Sequence, residues 1–303
     1  MFGLLDRSTS RTVTHVALGV VRASLETPVQ SLHDGFRRLY RPFVTEDAGG
    51  DAIRVRVMPG SLHWGHRRRF RVTADDRLRF EPVRSDELLP RVEWAINWEV
   101  PASLPHYLHL HASSLEVNGC GVILPGHSGS GKSTLALALL TRGWRYLCDE
   151  FALIQADSLL LDPFPRAVCI KRPGYPVIES LGVRLTGRPH YVKGSKGYVR
   201  FVHPLEVRED AIGRRCPVRY VIFPTYVEDA EPALAPLSRA EAAFAMHQVC
   251  FNLFGCRRLG LDVLAEVVRG AECYRLTSGD IHRTCALLER LVGGSAQQVV
   301  RSA

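Results

Sequence analysis

One glycine-rich loop constrains the fold of this chain more than any other feature. Residues 126–133 read Gly-His-Ser-Gly-Ser-Gly-Lys-Ser and fit the pattern G-x-x-x-x-G-K-[S/T] at every defined position. The loop follows the apolar run Gly121–Pro125, which is typical of a buried strand, and it precedes apolar residues at helical spacing up to Arg142. Together with strands and helices further along, this unit predicts an α/β domain over about residues 108–303.

The residue types in this loop suit a phosphate ligand. Glycines allow consecutive backbone N–H groups to point at phosphate oxygens, and the N-terminus of the following helix adds its positive dipole end. We expect Lys132 to place its charge on the β- and γ-phosphates of a nucleotide, and the hydroxyl of Ser133 to bind Mg²⁺. The predicted nucleotide-binding residues form one contiguous segment: Gly126, His127, Ser128, Gly129, Ser130, Gly131, Lys132, Ser133 and Thr134.

A magnesium–nucleotide site also needs an acidic residue at the end of a neighbouring strand, and the sequence offers two candidates. Asp149 and Glu150 follow the segment Tyr146–Cys148. Asp162 follows Leu159–Leu161, a run that is also explained as one arm of a hairpin. Spacing along the chain does not decide between the two positions. We favour Asp149 with Glu150 as the acidic pair.

Local signals mark three helices in the C-terminal part of the chain, one of them over Leu261–Val268 and closed by Gly270. Ser238 and Glu241 have the spacing of a capping box and predict the start of a helix. Asp280 can cap another helix, for which Gly293 and Gly294 predict the end. These signals extend the α/β pattern toward the C-terminus.

The composition excludes several classes of protein. The 303 residues, 46% hydrophobic and 23% charged, are typical of a globular chain rather than a disordered or fibrous one. No apolar stretch predicts a transmembrane helix and the N-terminus does not resemble a secretory signal, so we expect a cytoplasmic protein with no membrane partner. The eight cysteines contain no C-x-x-C pair and predict reduced, buried thiols. Alternating apolar and polar residues over Ala52–Met58 predict a β-rich region before residue 100.

Three features in a fixed order resemble one known family. His111 precedes the glycine-rich loop and Asp149–Glu150 follow it, at the separations found in the C-terminal catalytic domain of the bacterial HPr kinase/phosphorylase family. Two further segments, Val92–Trp98 and Arg142–Trp144, resemble the subgroup called HPr kinase-related kinase A. The similarity is strong over about residues 92–172 and looser across the remainder.

The resemblance implies a fold and an activity. The fold would be a P-loop kinase domain of the HPr kinase and phosphoenolpyruvate carboxykinase type over residues 101–303, preceded by a small β-rich accessory region over residues 1–100. The activity would be transfer of the γ-phosphate of ATP, with Mg²⁺, to a hydroxyl group of an acceptor, as in a serine kinase. The acceptor, a protein or a small molecule, is not identified by the sequence, and a homo-oligomer is left open.

The resemblance also implies a role for each site residue. Asp149 would act as the general base that takes the proton of the acceptor hydroxyl, while Lys132 neutralises developing charge. His111 would lie near the phosphates as a further catalytic residue. Ser133 and Glu150 would hold the metal ion.

The chain departs from the pattern of the family at several positions. His127 and Thr134 stand where the family usually has Asp and Glu, and the family's Glu-Ile-Arg-Gly segment is not present. Arg166 and Lys171 are candidates to replace the missing cation, and both are also explained as ordinary solvent-exposed residues. The departures leave an alternative function open, a nucleotide-binding switch or ATPase that regulates a partner without phosphorylating it.

The positive net charge has two further possible locations. The chain has 39 Lys and Arg residues and 31 Asp and Glu residues, which gives a net charge of +8. Residues 187–200, with Lys193 and Lys196, fit a lid that closes on phosphates or a solvated surface loop. Residues 63–71 interleave aromatic and basic side chains, but no known nucleic-acid motif surrounds them, so we expect no nucleic-acid partner. His109 and His111 lack a nearby cysteine or carboxylate that would complete a metal site.

Overall fold

The computed structural model describes residues 11–47, 49–60, 69–256 and 258–301, with residues 295–301 described by their backbone. The first elements in chain order are β1 (Thr12–Leu18), β2 (Val21–Thr27), α1 (Gln30–Leu39), β3 (Val44–Thr45), β4 (Ile53–Pro59), β5 (Phe70–Ala74), β6 (Arg77–Val83) and α2 (Leu88–Ser103). The middle of the chain contains β7 (Tyr107–Leu110), β8 (Ala112–Val117), β9 (Cys120–Pro125), α3 (Lys132–Thr141), β10 (Arg145–Asp149), β11 (Ala152–Gln155), β12 (Leu160–Asp162), β13 (Val168–Lys171), α4 (Tyr175–Ser180), β14 (Tyr191–Val192) and β15 (Tyr198–Val202). The C-terminal part contains β16 (Cys216–Tyr226), β17 (Ala233–Pro236), α5 (Arg239–His247), α6 (Gly260–Gly270), β18 (Glu272–Ser278) and α7 (Ile281–Arg301).

The chain packs as two compact units. The first consists of Met1–Ser103 with Pro189–Arg200, and the second of Leu104–Arg188 with Phe201–Ala303. Most of the lysine-containing segment 187–200 therefore belongs to the first unit. The accessory and catalytic roles that we assign to the two parts of the chain, and the lid role of the segment, stay predictions.

The first unit is built on a six-stranded sheet. Its strand order is β3-β1-β2-β4-β5-β6, and all neighbours are antiparallel except β2 and β4. In β4, Ile53, Val55 and Val57 are buried while the residues between them are more exposed, because successive side chains point to opposite faces. Helices α1 and α2 pack against this sheet. The β-rich N-terminal region is confirmed, and residues 63–68 of the basic aromatic run lie outside the described residues.

The second unit contains a nine-stranded mixed sheet. The main path is β10-β8-β9-β16-β12-β11-β7, and β18 pairs with both β16 and β17. Strand β16 runs parallel to β9 and to β18, whereas β8 runs antiparallel to both β9 and β10. The carboxyl ends of β9, β10 and β16 therefore lie at the same edge of the sheet. The mixed α/β architecture expected from the sequence is confirmed.

Helix α3 is buried on two sides. One side, with Leu135 and Leu139, packs in a core that also contains Leu124 of β9. The other side, with Leu137 and Leu140, packs in a second core with β13. Because both sides bury apolar area, the helix that follows the glycine-rich loop is held firmly in the interior.

Two expectations about the chain as a whole can be compared with the structure. Among the described residues, no helix has both the length and the apolar character needed to cross a bilayer. All eight cysteines are free thiols, five of them buried and three half-buried. Burial raises the pKa of the Cys148, Cys216 and Cys285 thiols to about 12, so these side chains remain protonated and act as small apolar residues.

Candidate functional site

The glycine-rich loop connects the carboxyl end of β9 to the N-terminus of α3. Gly129 and Gly131 have φ angles of +101° and +90°, a region that residues with a Cβ rarely adopt. At Gly126 an added Cβ would lie 2.9 Å from Oγ of Ser130, so the loop also closes tightly on itself. Glycine is therefore favoured by the backbone at these positions, and a tight turn with residues at positive φ is the backbone shape that phosphate cradles use.

Lys132 lies at the first position of α3 and folds back over the loop. Its Nζ donates hydrogen bonds to the carbonyl oxygens of Gly126, at 2.6 Å, and His127, at 2.8 Å. The side chain is only 7% exposed. A buried ammonium group is therefore held against the start of the loop, where a negatively charged ligand would meet it.

Asp149 is the last residue of β10 and reaches the loop across one intervening strand. It is paired with Ser113 of β8, and Ser113 is paired with Leu124 of β9. Two strand spacings amount to about 10 Å between the backbones of β10 and β9. Oγ of Ser113 donates a hydrogen bond to Oδ1 of Asp149, and the hydroxyl of Ser133 is close enough to lower the pKa of this carboxyl group. The structure thus brings Asp149 together with the first turn of α3.

The environment of Asp149 shifts its acidity. The carboxyl group is fully buried, and burial raises its pKa above the ordinary value. The negative charge of Glu150 raises the pKa further, while hydrogen bonds from Ser113 and Ser133 and the charge of Lys132 act in the opposite direction. The net shift is upward, which makes Asp149 a stronger base than an exposed carboxylate.

Glu150 and His111 form a second polar pair beside Asp149. Nε2 of His111 lies 3.5 Å from Oε2 of Glu150. The backbone carbonyl of His111 accepts a hydrogen bond of 3.3 Å from the amide of Gly126, so the histidine adjoins the first residue of the loop. Glu150 has a φ of +120°, a conformation that is rare for a residue with a side chain and that often marks a functional site.

Asp162 lies at the opposite edge of the sheet. Leu161 pairs with Cys216 at the amino end of β16, whereas the loop follows the carboxyl end of β9, which is parallel to β16. The register places Leu161 and the start of the loop about seven residues apart along the strands, or roughly 23 Å. The carboxylate of Asp162 instead accepts two hydrogen bonds from Arg215, at 2.7 and 2.6 Å, and one from Tyr107. The strand order therefore favours Asp149 over Asp162 as the acidic residue of the site.

The two candidates for an additional cation have different surroundings. Arg166 is buried, and its guanidinium lies 5.8 Å from the ring centroid of Phe164. Lys171 is half-buried, and its Nζ donates a hydrogen bond of 2.9 Å to Oγ of Ser128 in the loop. Lys171 therefore contacts the candidate site directly.

The histidines near the site do not gather metal ligands. His109 is buried, its Nε2 contacts the carbonyl of Leu104 at 3.0 Å, and burial lowers its pKa to about 4. In the described part of the chain, no group of three or more His, Cys, Asp or Glu side chains is arranged to hold a metal ion. A magnesium ion would here depend on ligands from the nucleotide and water in addition to protein oxygens.

Ser113 is a site residue that the sequence interpretation missed. The turn Asn118–Gly119 has φ angles of +52° and +76°, and it joins β8 to β9 with two residues. Asn-Gly at a two-residue turn is the strongest local signal for a hairpin. Counting outward from this turn places Ser113 opposite Leu124, so the sequence did contain the signal that brings Ser113 next to the loop.

The segment that contains this candidate site is similar in sequence to known proteins. Residues 102–160 match the family model described as the HPr Serine kinase C-terminal domain. The chain is HPr kinase-like in this segment. The matched range includes His111, the glycine-rich loop, Asp149 and Glu150.

Curated relatives of the HPr kinase-like segment are HPr kinase/phosphorylases. The protein of Chloroherpeton thalassium is 41% identical over 58 residues, which cover 18% of this chain and 17% of the relative. Those of Xanthomonas campestris pv. campestris and Stenotrophomonas maltophilia are each 38% identical over 81 residues, or 26% of this chain and 24% of the relative. The similarity thus spans about a fifth of the length of these relatives.

One solved structure can also be aligned with this chain. It is the Hpr(Ser) kinase/phosphatase from Coxiella burnetii, with 16% sequence identity and a TM-score of 0.32. The alignment covers 63% of this chain and 97% of that one.

Proposed function

We propose that this HPr kinase-like chain is a Mg-ATP-dependent phosphotransferase that moves the γ-phosphate to a hydroxyl group of a protein or small-molecule acceptor. The observation that carries the proposal is the position of Asp149. Its buried carboxylate accepts a hydrogen bond from Ser113 and is close enough to Lys132 and Ser133, the first two residues of α3, for both to lower its pKa. A base beside a phosphate cradle is the arrangement that transfer to a hydroxyl requires.

The residues present fit ATP and Mg²⁺. The glycine-rich turn has the positive φ angles of a phosphate cradle, whose N–H groups would bind phosphate oxygens, and Lys132 supplies a positive charge beside it. The hydroxyl of Ser133 and the carboxylate of Glu150 would hold the metal, because Mg²⁺ prefers hard oxygen ligands. When bound, the metal ion neutralises negative charge on the phosphates.

Each residue then has a defined task in the transfer. Lys132 binds the β- and γ-phosphates and withdraws charge from them. Asp149 accepts the proton of the acceptor hydroxyl, for which its raised pKa suits it. Ser113 donates to Oδ1 of Asp149 and thereby orients the carboxylate. His111 lies next to Glu150 and to the start of the loop, where it fixes the position of that carboxylate.

The test is transfer of labelled phosphate from ATP to proteins and small molecules of a cell extract. Asp149→Asn should lower transfer by about 10²–10⁴-fold while ATP still binds, because the amide keeps the size of the side chain but cannot take a proton. Lys132→Met should abolish ATP binding. Asp162→Asn is the matched control, since it changes another strand-end acid at the far edge of the sheet and should leave transfer intact.

The assay also separates the proposal from its alternative. A nucleotide-binding switch or ATPase would yield free phosphate, or no turnover, in place of a phosphorylated acceptor. Full transfer by Asp149→Asn would refute the assignment of the base, and unchanged ATP affinity of Lys132→Met would refute the assignment of the loop.

A further inference from the structure

Lys171 makes a contact with the phosphate loop that no conserved loop pattern accounts for. Its Nζ donates a hydrogen bond of 2.9 Å to Oγ of Ser128, across 43 positions of sequence. Ser128 is exposed at the outside of the turn, and Lys171 is the last residue of β13. A cation from a distant strand therefore adjoins the loop in addition to Lys132.

The backbone of Lys171 is held firmly at this place. Val168 and Ile170 of β13 are buried in the same core as Leu137 of α3. After β13, Gly174 comes so close to α3 that an added Cβ would lie 3.4 Å from Oγ1 of Thr134. Because the end of β13 is packed against the helix that follows the loop, the reach of the lysine toward the loop is a consequence of the fold.

The contact lies on the side of the loop where Lys132 places its charge. Nζ of Lys132 is bonded to the carbonyls of Gly126 and His127, the two residues that precede Ser128. In loops of this pattern the lysine reaches the β- and γ-phosphates. Ser128 therefore lies on the side of the terminal phosphates, away from the part of the loop that continues into α3.

We infer that Lys171 is a second cation for the terminal phosphate of the nucleotide, which it reaches from its place beside Ser128. A bond between an ammonium group and a phosphate oxygen joins two opposite charges and is stronger than one to a neutral hydroxyl, so the terminal phosphate would displace Ser128 as the acceptor. Arg166 does not share this position, because it is buried and lies over the ring of Phe164. This inference rests on the proposed function, and it adds that the site distinguishes ATP from ADP through Lys171.

The test compares the affinities of the full chain for ATP and for ADP in the presence of Mg²⁺. Lys171→Met should weaken ATP binding by about 10- to 100-fold, as expected for loss of a charged hydrogen bond, and should affect ADP much less. Lys171→Arg should restore most of the ATP affinity. Arg172→Met is the matched control, since it removes the same charge from the exposed next residue and should leave both affinities unchanged.

The ratio of the two affinities distinguishes a phosphate contact from a structural effect. A purely structural loss in Lys171→Met would lower the affinities for ATP and ADP together and would overturn the inference. Wild-type affinities in Lys171→Met, or an equal loss in Arg172→Met, would overturn it as well. If wild-type protein bound no ATP, or if Lys132→Met bound it normally, the proposed function would fail and this inference would fail with it.

Discussion

Replacing Gly129 by alanine should weaken nucleotide binding through the backbone alone. Gly129 has a φ of +101°, and no atom lies within 4 Å of the position that an added Cβ would take. The substitution therefore adds no steric clash and removes no side-chain contact. What it changes is the conformational preference of the residue, because alanine disfavours a positive φ.

The size of the effect follows from that preference. Holding a residue other than glycine in such a region costs about 1–3 kcal/mol, and the stiffer unfolded chain of the alanine variant offsets about 0.4–1 kcal/mol of it. In Gly129→Ala the free loop relaxes to a negative φ at residue 129. Nucleotide binding must then return this residue to a positive φ, and the cost of doing so lowers the affinity. A cost of about 1–2 kcal/mol corresponds to a loss of about 5- to 30-fold in ATP affinity.

Gly143 provides a matched control for this experiment. It has nearly the same φ, +99°, at the C-terminal end of α3, and its added Cβ would make only an ordinary contact of 3.5 Å with Arg208. Gly143→Ala should lower the unfolding temperature by about 2–4 °C for each kcal/mol of strain, whereas Gly129→Ala should lower it little, because its loop relaxes in the free protein. Only Gly129→Ala should lower the ATP affinity measured by titration calorimetry.

Two results would contradict this reasoning. Wild-type ATP affinity in Gly129→Ala would show that binding does not need the positive φ at this position. An equal loss of affinity in Gly143→Ala would show that the effect comes from general destabilisation instead of from the loop.

Further changes test the metal ligand, the distant acid and the acid stability. Ser133→Ala should lower ATP affinity about 10-fold in Mg²⁺ but not in EDTA, and equal losses in both titrations would count against a metal-binding hydroxyl. Asp162→Asn should lower the unfolding temperature because Arg215 loses its charged partner, while ATP affinity stays unchanged; a loss of affinity would move the acidic site to Asp162. Burial lowers the pKa of His109 from 6.5 to about 4, so the folded protein keeps the ring neutral while the unfolded chain takes up a proton. The contribution of neutral His109 to the free energy of unfolding should be complete above about pH 6.5 and fall by about 3 kcal/mol toward pH 4. His109→Gln should remove this part of the pH dependence of the free energy of unfolding, and an unchanged dependence would refute the lowered pKa of His109.

Local signals in the sequence predicted the elements that depend on nearby residues. The glycine-rich loop lies between a strand and a helix as expected, and the helix ends before Gly143, whose positive φ suits a helix end. The capping box of Ser238 and Glu241 is present at the start of α5. In each case the deciding interactions join residues a few positions apart, so the sequence contains them directly.

One local signal was wrong. Gly293 and Gly294 predicted the end of the last helix, but α7 continues through both to Arg301. Glycine inside a helix costs only about 1 kcal/mol relative to alanine, and hydrogen bonds along a continuing helix can outweigh that cost. A glycine ends a helix when the backbone also turns to positive φ, and neither of these two residues has a positive φ.

The sequence alone predicted the glycine-rich loop between a strand and a helix, and with it the proposal of a phosphate site. It did not decide between Asp149 and Asp162, because each follows an apolar strand at a plausible distance along the chain. The order and direction of the strands favour Asp149, because they bring the end of β10 near the loop and place Asp162 at the far edge with Arg215. The contact of Lys171 with Ser128 also joins residues far apart in sequence and depends on how the strands and helices pack. Strand order results from the burial of apolar surface over the whole unit, so residues far apart in sequence meet only when the entire sheet has formed.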